Sequence, residues 1–256
     1  MKTGRNMMRY YYSENLKTKH LFVRKLTVYG SIIAILLIFL LSSDFLYIHL
    51  FNWWYVIILP VIISFSCVLL SHIDGKMNDR AVRGLAVSFK NIWIAKSLVG
   101  IKYLVIACFL LFAGYILFTV VMSDARIIPI AFPNALLALF VILVTYLWQV
   151  PLFLFLGYKI GIFLSIASSL LFNTIIGPIV AAKSYWFICP FSYPGRVLCP
   201  ILKIMPNGLL LESGNPSFTP ALGSYTVVPI GIILSVILLI ISMWVTAYWY
   251  QNEEVK

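Results

Sequence analysis

Apolar residues fall into six runs of about 18 to 25 residues, the length that crosses the hydrocarbon core of a bilayer as helix. The first begins at Leu26 and covers TVYGSIIAILLIFLL, with Ser42 and Ser43 at its close, giving a span over 26–43. The second covers 53–71 and opens on Trp53, Trp54 and Tyr55, an aromatic cluster of the kind that sits at headgroup level. The third covers 97–122, with Lys102 near enough to its start to snorkel outward. The fourth, 134–157, follows Pro133; Lys159 separates it from the fifth, 160–182; the sixth covers 227–250. Within the fifth, Asn173, Thr174, Gly177 and Pro178 interrupt the apolar pattern, and Pro151 after Gln149 does so in the fourth, marking kinks that could line a pathway. The pattern predicts an all-α integral membrane protein forming one transmembrane domain over 1–256.

Two stretches have helical rather than continuous apolar periodicity. In YYYSENLKTKHLFVRKL, positions 10–26, Tyr12, Leu16, Val23 and Leu26 share a face, and Glu14 stands three residues before Lys17, with Lys19 beyond. An interfacial helix over about 8–25 is expected, turning into the first span. Between the second and third spans, Val82, Leu85, Ala86, Phe89 and Trp93 form an apolar stripe beside Arg80, Arg83 and Lys90, with a break near Gly84. Two readings stay open for that segment: a helix lying on lipid, or one inserting into a groove on a cytoplasmic partner.

Charge orients these elements. Of 256 residues, 62% are hydrophobic and 11% charged, the mean hydropathy is +1.00 and the net charge +11. The first two values exclude an ordinary soluble domain. Lys and Arg concentrate in the N-terminal segment, in the loop between the second and third spans, at Lys159 and at Lys256. Counted by side they stand fourteen against four, with Lys102 set aside. Short loops rich in them stay cytoplasmic, so both termini are expected inside. The same asymmetry explains the positive charge without a nucleic-acid partner and makes anionic membrane lipid the nearer one. The long charged stretch before the first span, with no small-residue cleavage pattern, predicts a retained span rather than a signal peptide.

Catalytic chemistry finds little to use. His20, His49 and His72 are scattered and form no H-E-x-x-H pair; no carboxylate is expected at mid-membrane; no G-x-x-x-x-G-K-[ST] phosphate loop occurs. Neither a metal site, a cofactor site nor an enzyme is expected, and energised work would need another subunit. Cys67 and Cys108 lie in spans as small hydrophobes, while Cys189 and Cys199 share the outer loop and are open to either a disulfide or two free thiols.

The entry segment with Ser13, Glu14, Lys17 and Lys19, and the loop with Arg83, Gly84, Leu85, Val87, Ser88, Trp93 and Lys96, resemble the ABC type-2 permease superfamily, and within it the permease subunits of lantibiotic immunity transporters of the epidermin and mutacin group. Relatives often carry Pro where this chain has Ala86, and their early acidic residue corresponds to Asp74 or Asp79. The resemblance implies a subunit that pairs with a second permease and two copies of a cytoplasmic ATPase, which holds the ATP and Mg. It implies coupling through Asp79, Arg80, Arg83, Gly84, Leu85, Phe89 and Trp93, short re-entrant helices before the last span, and an amphipathic antimicrobial peptide as cargo, expelled to give self-immunity. The long outer segment from Lys183 to Tyr225, with Trp186, Phe187, Phe191 and Tyr193, and with Asn173 nearby, is then either a peptide contact or a cap on the bundle. The alternative is a non-transporting immunity or sensor protein that sequesters the peptide or regulates a partner.

Overall fold

A computed structural model describes residues 2–19, 21–42, 45–73, 87–121 and 130–253, with side chains described from Met7 onward. Among these residues the chain is helical, without a named strand. We number the helices α1 (Lys2–Lys17), α2 (Phe22–Leu41), α3 (Leu46–Ser71), α4 (Phe89–Val121), α5 (132–160), α6 (162–181), α7 (Tyr193–Leu202) and α8 (Val227–Asn252). Five stretches are long and apolar enough to span a membrane: α2, α3, α4, the continuous Phe132–Ala181 and α8. This is the make-up of a multi-pass membrane protein.

The 50 residues of Phe132–Ala181 would extend about 75 Å as one straight helix, far beyond a bilayer core of about 30 Å. They fold back instead at Gly161, whose φ of 80° and ψ of −175° only glycine adopts freely. The Gln149 amide donates to Asn173 Oδ1 at 3.0 Å and the Asn173 amide returns a bond to Gln149 Oε1 at 3.1 Å. Side chains 24 residues apart can do this only across a hairpin.

Helix α3 packs against both arms of that hairpin. A Cβ at Gly157 would come within 2.8 Å of Val68 Cα, so this glycine sets the close approach of α5 to α3. Pro60 lacks an N–H and therefore frees carbonyls one turn earlier in α3, where the helix widens into a π turn over Trp54–Ile58. Neighbouring hydroxyls satisfy them: Tyr146 donates to Tyr55 O and Thr174 donates to Val56 O at 2.8 Å. In an apolar solvent such carbonyls must find partners within the protein. The hydroxyl of Ser169 likewise donates to Pro60 O at 3.0 Å.

Contacts at the helix ends show alternating direction. Thr27 meets Ser66, Tyr47 meets Thr119, Tyr115 donates to Ile130 O, and Lys159 pairs with Glu253 at 2.8 Å. One end of the bundle thus gathers the close of α3, the start of α4, the α5–α6 turn and the close of α8. At the opposite end α7 is inserted with every residue buried; Val197 lies against Gly231 of α8, and Arg196 donates to Ala221 O at 2.8 Å.

Several boundaries differ from expectation. The third span reaches back to Phe89, because α4 continues below its apolar run as a 33-residue helix of about 50 Å. The second begins at Leu46, which places Trp54 and Tyr55 inside the helix and buried in the core rather than at a headgroup edge. Lys102 does not reach outward alone; it donates to Asn15 of α1.

Candidate functional site

The basic end of the bundle is organised by α1, which runs along the first four turns of α4 in the same direction. The hydroxyl of Tyr10 accepts from the Ser88 N–H at 3.2 Å, Glu14 faces Lys96, Asn15 accepts from Lys102, and the Tyr103 hydroxyl donates to Thr18 Oγ1 at 2.9 Å. Glu14 is the centre of this seam. Its two oxygens lie 2.7 Å from Lys17 Nζ and 3.6 Å from Lys96 Nζ, and Glu14 and Lys96 are only 4% and 2% exposed. Lys96 also reaches Leu70 O at 3.4 Å, tying the close of α3 to the start of α4. A buried cation needs such partners, since desolvation without them costs several kcal/mol.

The apolar stripe of this segment faces away from the bundle. Tyr12 and Leu16 are 58% and 67% exposed, together with Met8, whereas Glu14 and Thr18 are buried. The reason lies in α4, which presents Lys96, Lys102 and Tyr103 to α1 and so selects its polar side. Val23, on the next helix, is buried in the core. Lys17 is partly exposed and Lys19 exposed.

On the opposite flank, α8 holds the start of α4. Trp93 is fully buried, donates from Nε1 to Thr246 Oγ1 at 2.9 Å, and packs its ring 4.7 Å from Tyr250 and 5.6 Å from Trp249. Trp249 in turn meets Phe155 at 4.7 Å and carries Lys159 Nζ over its face at 4.7 Å. Of the residues assigned to coupling, Phe89 is half-buried at the α4 start and Trp93 belongs to the interior. Asp79, Arg80, Arg83, Gly84 and Leu85 lie outside the described residues. So do Asp74, Val82 and Ala86.

The outer residues are placed together, though largely among themselves. Trp186 packs edge-on to Tyr193 at 5.8 Å, and the Tyr193 hydroxyl donates to Phe187 O at 2.8 Å. Phe191 stands between Trp148 and Phe172, 4.9 Å from each ring. Trp186 and Tyr193 are buried and Phe187 is exposed, while Asn173 is committed to Gln149 and so stands apart from the aromatic group. Cys189 and Cys199 are both free thiols; burial pushes Cys199 up to about 11, against the opposing pull of Arg196 and Lys203. Among the described residues no cluster of three or more His, Cys, Asp or Glu could hold a metal ion.

Compared with protein-family models, with curated proteins and with solved structures, the chain matches none of them.

The positions that sequence reasoning undervalued are Lys96, which reads as a loop charge, Tyr146 and Trp148, which sit unmarked in an apolar run, and Gln149, noted only beside Pro151. Only Gln149 carried a signal, as a lone amide among apolar neighbours.

Proposed function

We propose that this chain is the permease subunit of an ABC transporter, with six membrane crossings and both termini cytoplasmic, driven by a separate ATPase present in two copies. In this reading α5 and α6 are distinct crossings joined at Gly161, and the charged segment 74–86 is the surface on which the ATPase acts. What supports it most is how that segment is bracketed. It leaves α3 beside Leu70 and enters α4 at Ser88, and the α4 start is held on one side by Glu14 and Tyr10 of α1 and on the other by Trp93 against Thr246 and Tyr250 of α8. Force applied between the two ends is thereby delivered to α1, α3, α4 and α8 together rather than absorbed in a loose loop.

The second permease subunit, the amphipathic lantibiotic-type peptide and the self-immunity role are drawn from the resemblance in the entry helix and the charged loop. The ATPase partner carries ATP and Mg; this chain contributes helices, and nucleic acid has no part. The buried packing of Trp186 and Tyr193 fits a cap on the outer bundle, leaving exposed Phe187 as the more accessible aromatic for a peptide in the outer leaflet.

The test is peptide survival of cells expressing the chain with its neighbouring transporter subunits. Arg83→Glu or Gly84→Pro should abolish ATP-dependent protection at unchanged membrane level. Protection that persists in these variants, or with a catalytically dead ATPase, would instead support sequestration.

A further inference from the structure

Beside the Glu14 seam lies a second set of cations with a different environment. Lys19, Arg24 and Lys102 border a cavity of about 400 Å³ between α1, α2 and α4, and a neighbouring cavity of about 470 Å³ shares Lys19 and Arg24 and adds Lys25. Among the described residues no carboxylate pairs with any of these four. Glu14, the nearest carboxylate along α1, is engaged by Lys17 and Lys96. The ammonium of Lys102 is directed by Asn15 and lies 4.4 Å from the Tyr103 ring centre, neither of which neutralises it.

The floor of the two cavities is apolar. Val28 is shared between them, Ile106 closes the first, and Tyr29, strongly exposed, leads from the second onto the outward face of α2 with Ile32, Ile33 and Leu36. Arg24 and Lys25 directly precede the apolar run of α2. The 20 residues of α4 from Lys102 to its end at Val121 would cover about 30 Å, the thickness of the hydrocarbon core. The cations therefore sit at the hydrocarbon boundary, with an apolar track running from them into the bilayer.

We propose that this cleft is a binding site for an anionic glycerophospholipid, its headgroup phosphate held by Lys19, Arg24 and Lys102 and its acyl chains laid along Val28, Tyr29 and the outer face of α2. Four cations converging without a carboxylate create a positive field that an anionic headgroup neutralises, and basic pockets between helices at the inner face are the usual seats for such lipids. A bound lipid would also stitch α1 to α2 and α4, next to the seam that positions the α4 start.

The site is testable on the purified full-length chain without any partner. Native mass spectrometry of delipidated protein titrated with phosphatidylglycerol or with phosphatidylcholine should show at least tenfold tighter retention of the anionic lipid. Arg24→Gln and Lys102→Gln should each weaken it about fivefold, and exposed Lys19→Gln, which perturbs no packing, should act in the same direction. Lys183→Gln with Lys203→Gln at the other end should leave it unchanged. Equal retention of the two lipids, or the same affinity in Lys19→Gln and Arg24→Gln as in the native chain, would overturn the site. Displacement of the lipid by millimolar inorganic phosphate would also overturn it, assigning the cations to a free anion.

Discussion

The carboxamides of Gln149 and Asn173 exchange two hydrogen bonds across the α5–α6 hairpin, both side chains being buried. This reciprocal pair makes each residue costly to remove alone. Asn173→Leu should leave the Gln149 amide without its donor and acceptor, lowering stability by about 1–2 kcal/mol. The Gln149→Leu, Asn173→Leu double variant should lose less than the sum of the two single variants, because no orphaned amide remains. Unfolding of the detergent-solubilised chain, followed through a full double-mutant cycle, measures this; strictly additive losses would show the pair to be uncoupled.

Glu14 and Lys17 should respond very differently to removal of charge. Glu14→Gln withdraws the carboxylate from Lys96, which is buried, and should cost about 3 kcal/mol. Lys17→Gln removes a cation that is 30% exposed and should cost under about 1 kcal/mol. Comparing the two melting midpoints decides the matter, and similar losses would place Glu14 at the surface.

The glycines of the hairpin are expected to fail for separate reasons. At Gly161 a Cβ would have open space, so Gly161→Ala should cost only backbone strain, about 1–3 kcal/mol. At Gly157 a Cβ would meet the Val68 backbone, so Gly157→Leu must push α5 away from α3. A spectroscopic distance between labels on these two helices should lengthen in Gly157→Leu and stay fixed in Gly161→Ala.

Thiol reactivity separates the four cysteines. Cys199 is buried, and its thiol, pushed up to about 11, is about 1% thiolate at pH 9. A maleimide at pH 7 to 9 should therefore label Cys189, the one cysteine of the four that is partly exposed, and Cys189→Ser should remove nearly all labelling. The sign of the stability effect follows from the same elevation. Relative to an ordinary value of 9.0, the raised folded value favours the neutral thiol, so its contribution is complete below pH 9 and declines as pH rises toward 11. Labelling of Cys189→Ser as fast as the native chain would contradict the buried position of Cys199.

The apolar runs were legible because lipid-spanning helices must be long and unbroken, and Lys159 marked the division inside a stretch that otherwise reads as continuous; Gly161, where the chain turns, went unremarked. What holds the polar side of α1 was not legible. Glu14, Asn15 and Thr18 meet Lys96, Lys102 and Tyr103, 82 to 87 residues away in sequence, and amphipathic periodicity carries no information about the opposing helix. Trp54 and Tyr55 were misplaced for a related reason: aromatic residues suit both the headgroup zone and a packed core, and only the earlier start of α3 at Leu46 distinguishes the two. Trp93 shows the same ambiguity, its ring packing against Tyr250 and Trp249 of α8.

The coupling proposal is tested most directly by purifying the tagged chain from its own cells beside an Arg83→Glu variant and identifying the co-purifying proteins by mass spectrometry. Expected with the native chain are a nucleotide-binding ATPase subunit and a second small permease; with Arg83→Glu the ATPase should be lost while the permease remains. Recovery of the chain without any ATPase, or equal ATPase recovery from both preparations, would contradict the reading of segment 74–86 as the surface through which transport is driven.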